Sequence, residues 1–128
     1  MRAWIGLFAL TIMVGLSMPA ACAAELVMFW REGCSHCAAW ERDVGPIYNK
    51  SEIAVRAPLR KVDIDRDRPN ISLASPVIYT PTFVLVDNGR EVGRIEGYPG
   101  EHFFWGLLER LLQQLPPRQG ATARVSSG

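Results

Sequence analysis

Metal centres and disulfide scaffolds are built from residues this chain has few of: its 128 residues include three cysteines and two histidines. A structural zinc site takes four ligands, commonly as two separated pairs. Here Cys34 and Cys37 form the only close pair, and His102 stands far along the chain. Excess charge is also missing, with 14 Lys and Arg against 13 Asp and Glu. Nothing in that balance offers an electrostatic footprint for nucleic acid or an anionic lipid surface. Internal repeats and dividing linkers are absent, so the length fits one folded domain. A hydrophobic content of 48% against 21% charged residues excludes an intrinsically disordered chain.

The N-terminus differs in kind from the rest. One charge, Arg2, precedes an apolar run from Trp4 to Leu16, followed by Pro19 and the small residues Ala20, Ala21, Cys22, Ala23 and Ala24. This pattern predicts a secretory signal peptide over residues 1–24. The competing reading is an uncleaved anchor, since the apolar run can be stretched to about 20 residues. Lipidation at Cys22 is disfavoured by Pro19 three residues before it. Cleavage after Ala23 or Ala24 discards Cys22 and leaves only Cys34 and Cys37. Export with an even pair of cysteines points to an oxidising compartment, and the expected location is the periplasm.

Glu25 to Trp30 (ELVMFW) reads as a buried strand. After the loop Arg31-Glu32-Gly33, a helix is expected from about Cys34 to Val44, where Gly45-Pro46 breaks or kinks it. Ala57 to Asp65 reads as a second strand, followed by a turn at 66–70 and a weakly periodic segment, a weak helix, from Ile71 to Val77. Thr82 to Asp87 is a strand, Asn88-Gly89 a hairpin turn because both residues tolerate positive φ, and Glu91 to Gly97 the return strand. A last helix runs from Glu101 to about Leu115, with Phe103, Leu107, Leu108, Leu111 and Leu112 at helical spacing. Pro116-Pro117 stops it, and residues 116–128 form a polar tail expected to be disordered. The predicted domain, 25–115, is α/β: a mixed sheet of about four strands with helices on both faces.

Chemistry concentrates in Cys34-Ser35-His36-Cys37. Residues three apart share a helix face, so the two sulfurs can meet. At a helix start, free N–H groups and the helix dipole favour a thiolate on Cys34, and His36, if protonated, adds to that. Such settings lower a cysteine pKa from about 8.5 to between about 3.5 and 7.5. Cys37, one turn in, would be shielded and would resolve a mixed disulfide. A purely structural bridge is a weak alternative, because so short a loop removes little chain entropy.

These residues carry a resemblance to the thioredoxin superfamily over about Glu25 to Leu115. The matching parts are LVMFW, CSHC, Thr80-Pro81-Thr82 before a strand, the Asn88-Gly89 hairpin and Gly97. The resemblance implies a thioredoxin-like three-layer fold; no cofactor is expected, and the ligand count above leaves no metal expected either. It implies that Pro81 is a cis-proline facing the cysteine pair, and that Thr80 offers backbone to an extended substrate segment. The run from Thr80 to Leu112 looks close to the small periplasmic thioredoxins of sulfur-oxidation systems, the SoxS type. That subgroup's role would be to reduce a cysteine on a sulfur-carrier protein, with electrons from a membrane thiol donor; this chain is itself expected to be a monomer. Two departures stand out: Met28 occupies the place of the family's buried Asp, and Gly33 that of the Trp before the first cysteine. The proton acceptor is therefore open, with water, Glu32 or another group in its place.

The direction of electron flow is open too. A His before the second cysteine resembles disulfide-forming and isomerising members, and a stabilised thiolate raises the reduction potential. The expected reaction is disulfide reduction, with oxidase or isomerase activity as the alternative. A different class also stands: a non-catalytic binding module, or a copper-handling protein using Cys34, His36 and Cys37, since soft thiolates suit Cu(I).

Overall fold

The computed structural model describes residues 24–117. The expected signal peptide, including Cys22, lies outside the described residues apart from Ala24, as does the tail beyond Pro117.

Strand β1 (Glu25–Trp30) has its four central residues buried, as a strand covered on both faces requires. It lies in the middle of a four-stranded sheet of order β2-β1-β3-β4. β2 (Leu59–Asp63) runs parallel to it, with Met28 opposite Lys61. β3 (Thr82–Asp87) runs antiparallel, with Phe29 opposite Thr82. β4 (Arg90–Glu96) returns antiparallel through the Asn88-Gly89 turn, both residues at positive φ. The mixed four-stranded sheet with helices is the α/β fold expected from the element order.

Between β1 and β2 stand three helices: α1 (Ser35–Asp43), α2 (Gly45–Tyr48) and α3 (Glu52–Arg56). Pro46 lacks the N–H that would continue α1, so the chain breaks at Val44 and restarts with proline in the first turn of α2. The five residues of α3 are too few to show a helical period in the sequence. Its signal is Ser51, whose hydroxyl accepts from Ala54 N–H at 3.2 Å and donates to Tyr48 O at 2.6 Å. Strand β2 ends two residues before its expected limit. Asp63 Oδ1 accepts from Asp65 N–H and Asp67 Oδ2 from Asp63 N–H, at 2.9 and 2.8 Å. These carboxylates turn the chain where it would otherwise extend. α4 (Glu101–Leu112) stops three residues short of the expected end.

All four helices belong with one face of the sheet. Leu26, Met28, Phe83, Leu85 and Ile95 there meet Cys37, Trp40, Val44, Tyr48, Phe104, Leu108, Leu111 and Leu112. An aromatic cluster forms the centre: Phe104 meets Trp40, Phe83, Tyr98 and Trp105 edge to face at 4.8–6.3 Å. Of the adjacent aromatics on α4, Phe104 is buried, Trp105 stacks on Tyr48, and Phe103 is exposed. His102 is exposed, as a solvated first-turn residue should be.

The opposite face corrects the expectation of a weak helix over residues 71–77. Val27, Phe29, Val62, Val84 and Val86 are covered by Ile64, Ile71, Leu73 and Val77, with no helix there among the described residues. Residues 71–73 run strand-like around the Ser72–Arg90 bridge, and the chain bends at Ala74 and Ser75. Ile71 and Leu73 face inward at a spacing of two, a strand-like period that seven residues are too few to separate from a weak helix. Pro69 precedes the segment and Pro76 lies within it, and both oppose helix.

Removing the central ring tests this packing. Phe104→Ala is expected to cost about 3–5 kcal/mol, read as a lower urea midpoint with unchanged slope. A loss below about 1 kcal/mol would show that the core does not rest on that cluster.

Candidate active site

The loop after β1 turns at Gly33, whose φ of +76° suits glycine, and Cys34 N–H donates to Arg31 O at 3.2 Å. Cys34 is then the N-cap of α1, with extended backbone, and its Sγ accepts from Cys37 N–H at 3.1 Å. A cysteine therefore does what Ser or Asp commonly does at this position. The two cysteines are joined as a disulfide with Cα atoms 5.2 Å apart, inside the usual range. They differ in access: Cys34 is half-buried, while Cys37 is 4% exposed and packs in the main core.

His36 lies between them on α1 and is exposed. Thr80 and Pro81 are joined by a cis peptide bond. Pro81 is buried, its carbonyl accepting from Gly97 N–H at 2.7 Å, and Thr82 Oγ1 donates to Tyr79 O at 2.7 Å. Because Thr82 pairs with Phe29 near the end of β1, Thr80-Pro81 and the Cys34 loop emerge at the same end of the sheet. All five sequence-predicted site residues thus gather at that end.

A cleft of about 400 Å³ opens beside the pair, lined by Trp30, Gly33, Cys34, Cys37, Glu41 and Lys61 among others. Lys61 Nζ sits 5.0 Å from the centre of the Trp30 ring and pairs with Glu41. Glu41 and Lys61 were not singled out from the sequence. Their signals were the spacing Cys37 plus four on α1 and the alternation Leu59, Lys61 on β2. Met28 is fully buried on the same face as Lys61 and carries no exchangeable proton. Among the described residues, no group of three His, Cys, Asp or Glu side chains comes together.

Charges brace the loops on either side. Arg31 grips Asp65 with two hydrogen bonds at 2.8 and 3.0 Å. The guanidinium holds that carboxyl below its usual range, and Arg31 is raised in return. Arg94 binds Glu91 at 2.6 Å and reaches the carbonyls of Ser75 and Pro76, while Glu91 Oε2 accepts from Ala74 N–H. This staple fixes the segment leading to Thr80. Its hydrogen bond to Arg94 places the Glu91 carboxyl below its ordinary value. Tyr98 donates to Asp43 at 3.1 Å, and burial with this bond pushes its phenol up to about 12.

A half-buried cysteine capping a helix and bonded to a shielded one a turn later, at the sheet end where Pro81 enters β3, defines a thiol-disulfide oxidoreductase. Comparison with known proteins agrees. The family model described as Thioredoxin matches residues 20–104. The periplasmic thioredoxin SoxS from Paracoccus pantotrophus, in its reduced form, is 43% identical. That match covers 71% of this chain and 97% of that one, at a TM-score of 0.68. A thioredoxin-fold protein from Helicobacter pylori (21% identical, 72% of this chain and 70% of that one, TM-score 0.58) shares the fold. So does Fasciola hepatica thioredoxin (21%, 70% and 82%, TM-score 0.52). The chain belongs to the thioredoxin family.

The Glu91–Arg94 staple gives a pH-dependent expectation. The Glu91 carboxyl titrates lower when folded than unfolded. Its stabilisation is therefore complete above about pH 4.3, the ordinary glutamate value, and is lost as pH falls through the folded value. Glu91→Gln is expected to cost about 1 kcal/mol at pH 7 and much less at pH 3, from urea midpoints at both. An equal cost at both values would contradict the ion-pair origin.

Proposed function

We propose that this is a periplasmic thioredoxin that reduces disulfides on a cysteine-containing protein partner, of the kind that carries sulfur in sulfur-oxidation systems. A membrane thiol donor returns electrons to the Cys34–Cys37 pair. The observation that carries the reading is the asymmetry of the pair: Cys34 is half-buried at the helix start and Cys37 is closed off in the core. The exposed member attacks and the closed member resolves.

The first step joins Cys34 Sγ to one sulfur of the partner disulfide and releases the other as a thiolate. In the second, Cys37 attacks Cys34 Sγ, the bond to the partner breaks, and the partner leaves as a dithiol. Two electrons pass from the pair to the partner. Thr80 and Pro81, at the same end of the sheet, suit an extended substrate segment laid against their backbone. The likeness to a periplasmic thioredoxin over nearly all of that protein's length supports the location and the partner class. No helix among the described residues is long and apolar enough to cross a membrane.

Insulin reduction by metal-free protein is expected to fall to the uncatalysed background in Cys34→Ser. Cys37→Ser is expected to accumulate a mixed disulfide with its partner in the native cell, identified by mass spectrometry. Full activity in Cys34→Ser would end the reading, and a pair found mostly oxidised in cells would reverse the direction of electron flow.

A further inference from the structure

Resolution of the mixed disulfide requires a proton to leave Cys37. As the thiol ionises, its sulfur bonds to Cys34 Sγ, the bond to the partner breaks, and the partner sulfur departs with the electron pair and is protonated by solvent. The Cys37 proton needs an acceptor of its own, and a side chain 4% exposed offers bulk water little access. Met28, beneath the pair on the sheet, cannot serve.

The cleft beside Cys37 supplies the candidates. Besides the two cysteines, its ionisable side chains are Arg31 and Glu32 from the loop, Glu41 from α1 and Lys61 from β2. Arg31 is a cation already committed to Asp65. Glu32 is 82% exposed and turned toward Arg66. Glu41 remains. It lies four residues after Cys37, on the same helix face. Its Oε1 is closed to solvent with no hydrogen-bond partner besides the ion pair to Lys61. Its Oε2 rests over Gly45, where a Cβ would stand 3.1 Å away. The glycine leaves the space this carboxylate occupies.

We propose that Glu41, held by Lys61, accepts the Cys37 proton through the cleft when the mixed disulfide is resolved. It returns that proton when the pair is reduced. The role rests on the dithiol reading above, and it makes Glu41 a proton-relay residue that acts on substrate only through Cys37.

The test uses the reduced full chain, with Cys22→Ser in every sample, and the aromatic disulfide 5,5′-dithiobis(2-nitrobenzoate) in stopped flow. Attack by Cys34 releases one coloured thiolate, and resolution by Cys37 releases the second. Glu41→Gln is expected to leave the first release within about twofold and to slow the second about 10²-fold at pH 7. The deficit should close above about pH 9, where a thiol ionises without help, and Glu41→Asp should recover most of the rate. An unchanged second release at pH 7 overturns the proposal. So does a deficit equal at every pH and not recovered by Asp, which marks packing alone. If the unsubstituted chain gives no first release, the dithiol reading itself falls, and this proposal with it.

Discussion

Cys34 ends the loop from β1 and begins α1, so its sulfur stands where the unpaired N–H groups of a helix converge. The bond from Cys37 N–H to Cys34 Sγ expresses that constraint in atoms. Everything else around the site serves to hold the start of the helix at this spot. The turn at Gly33 sets the entry angle, and Trp40, one turn beyond Cys37, is buried among Tyr48, Phe83 and Phe104. A helix anchored this firmly in the core cannot shift its N-terminus without disturbing the ring cluster. The reactive sulfur is thus located by packing further along the same helix.

The chain divides its sheet unequally. One face takes the four described helices and the larger core; the other is closed by a proline-containing segment pinned by Arg94. That segment leads directly to Thr80-Pro81, so the staple that covers the second face also delivers the proline to the cysteine end of the sheet. Arg31 with Asp65 does the equivalent work for the loop before Cys34. The exposed Ile78 and Tyr79 lie on this approach.

Much of this was legible from residue order. The apolar run ELVMFW, the Asn88-Gly89 turn and the spaced leucines of α4 have strong local signals, and the cysteine pair with a later Thr-Pro fixed the family likeness. Features decided by contacts were harder to read. Ser51 caps a five-residue helix too short to show a period. Asp63 and Asp67 end β2 through bonds that composition does not reveal. Ile71 to Val77 carries apolar residues that fit either period, and the sheet face it covers decided against the helix. Glu41 and Lys61 are ordinary charges in sequence, 20 residues apart, and only the parallel pairing of β1 with β2 under α1 brings them together.

The central claim is that Cys34 in the reduced protein is an ionised, reachable nucleophile at neutral pH. The most direct measurement is the rate of its alkylation by iodoacetamide against pH, with modification located by peptide mass. The account predicts a midpoint between about pH 3.5 and 7.5 for Cys34, with Cys37 unmodified until much higher pH. A midpoint near the ordinary thiol value of about 8.5, or faster modification of Cys37, would contradict it.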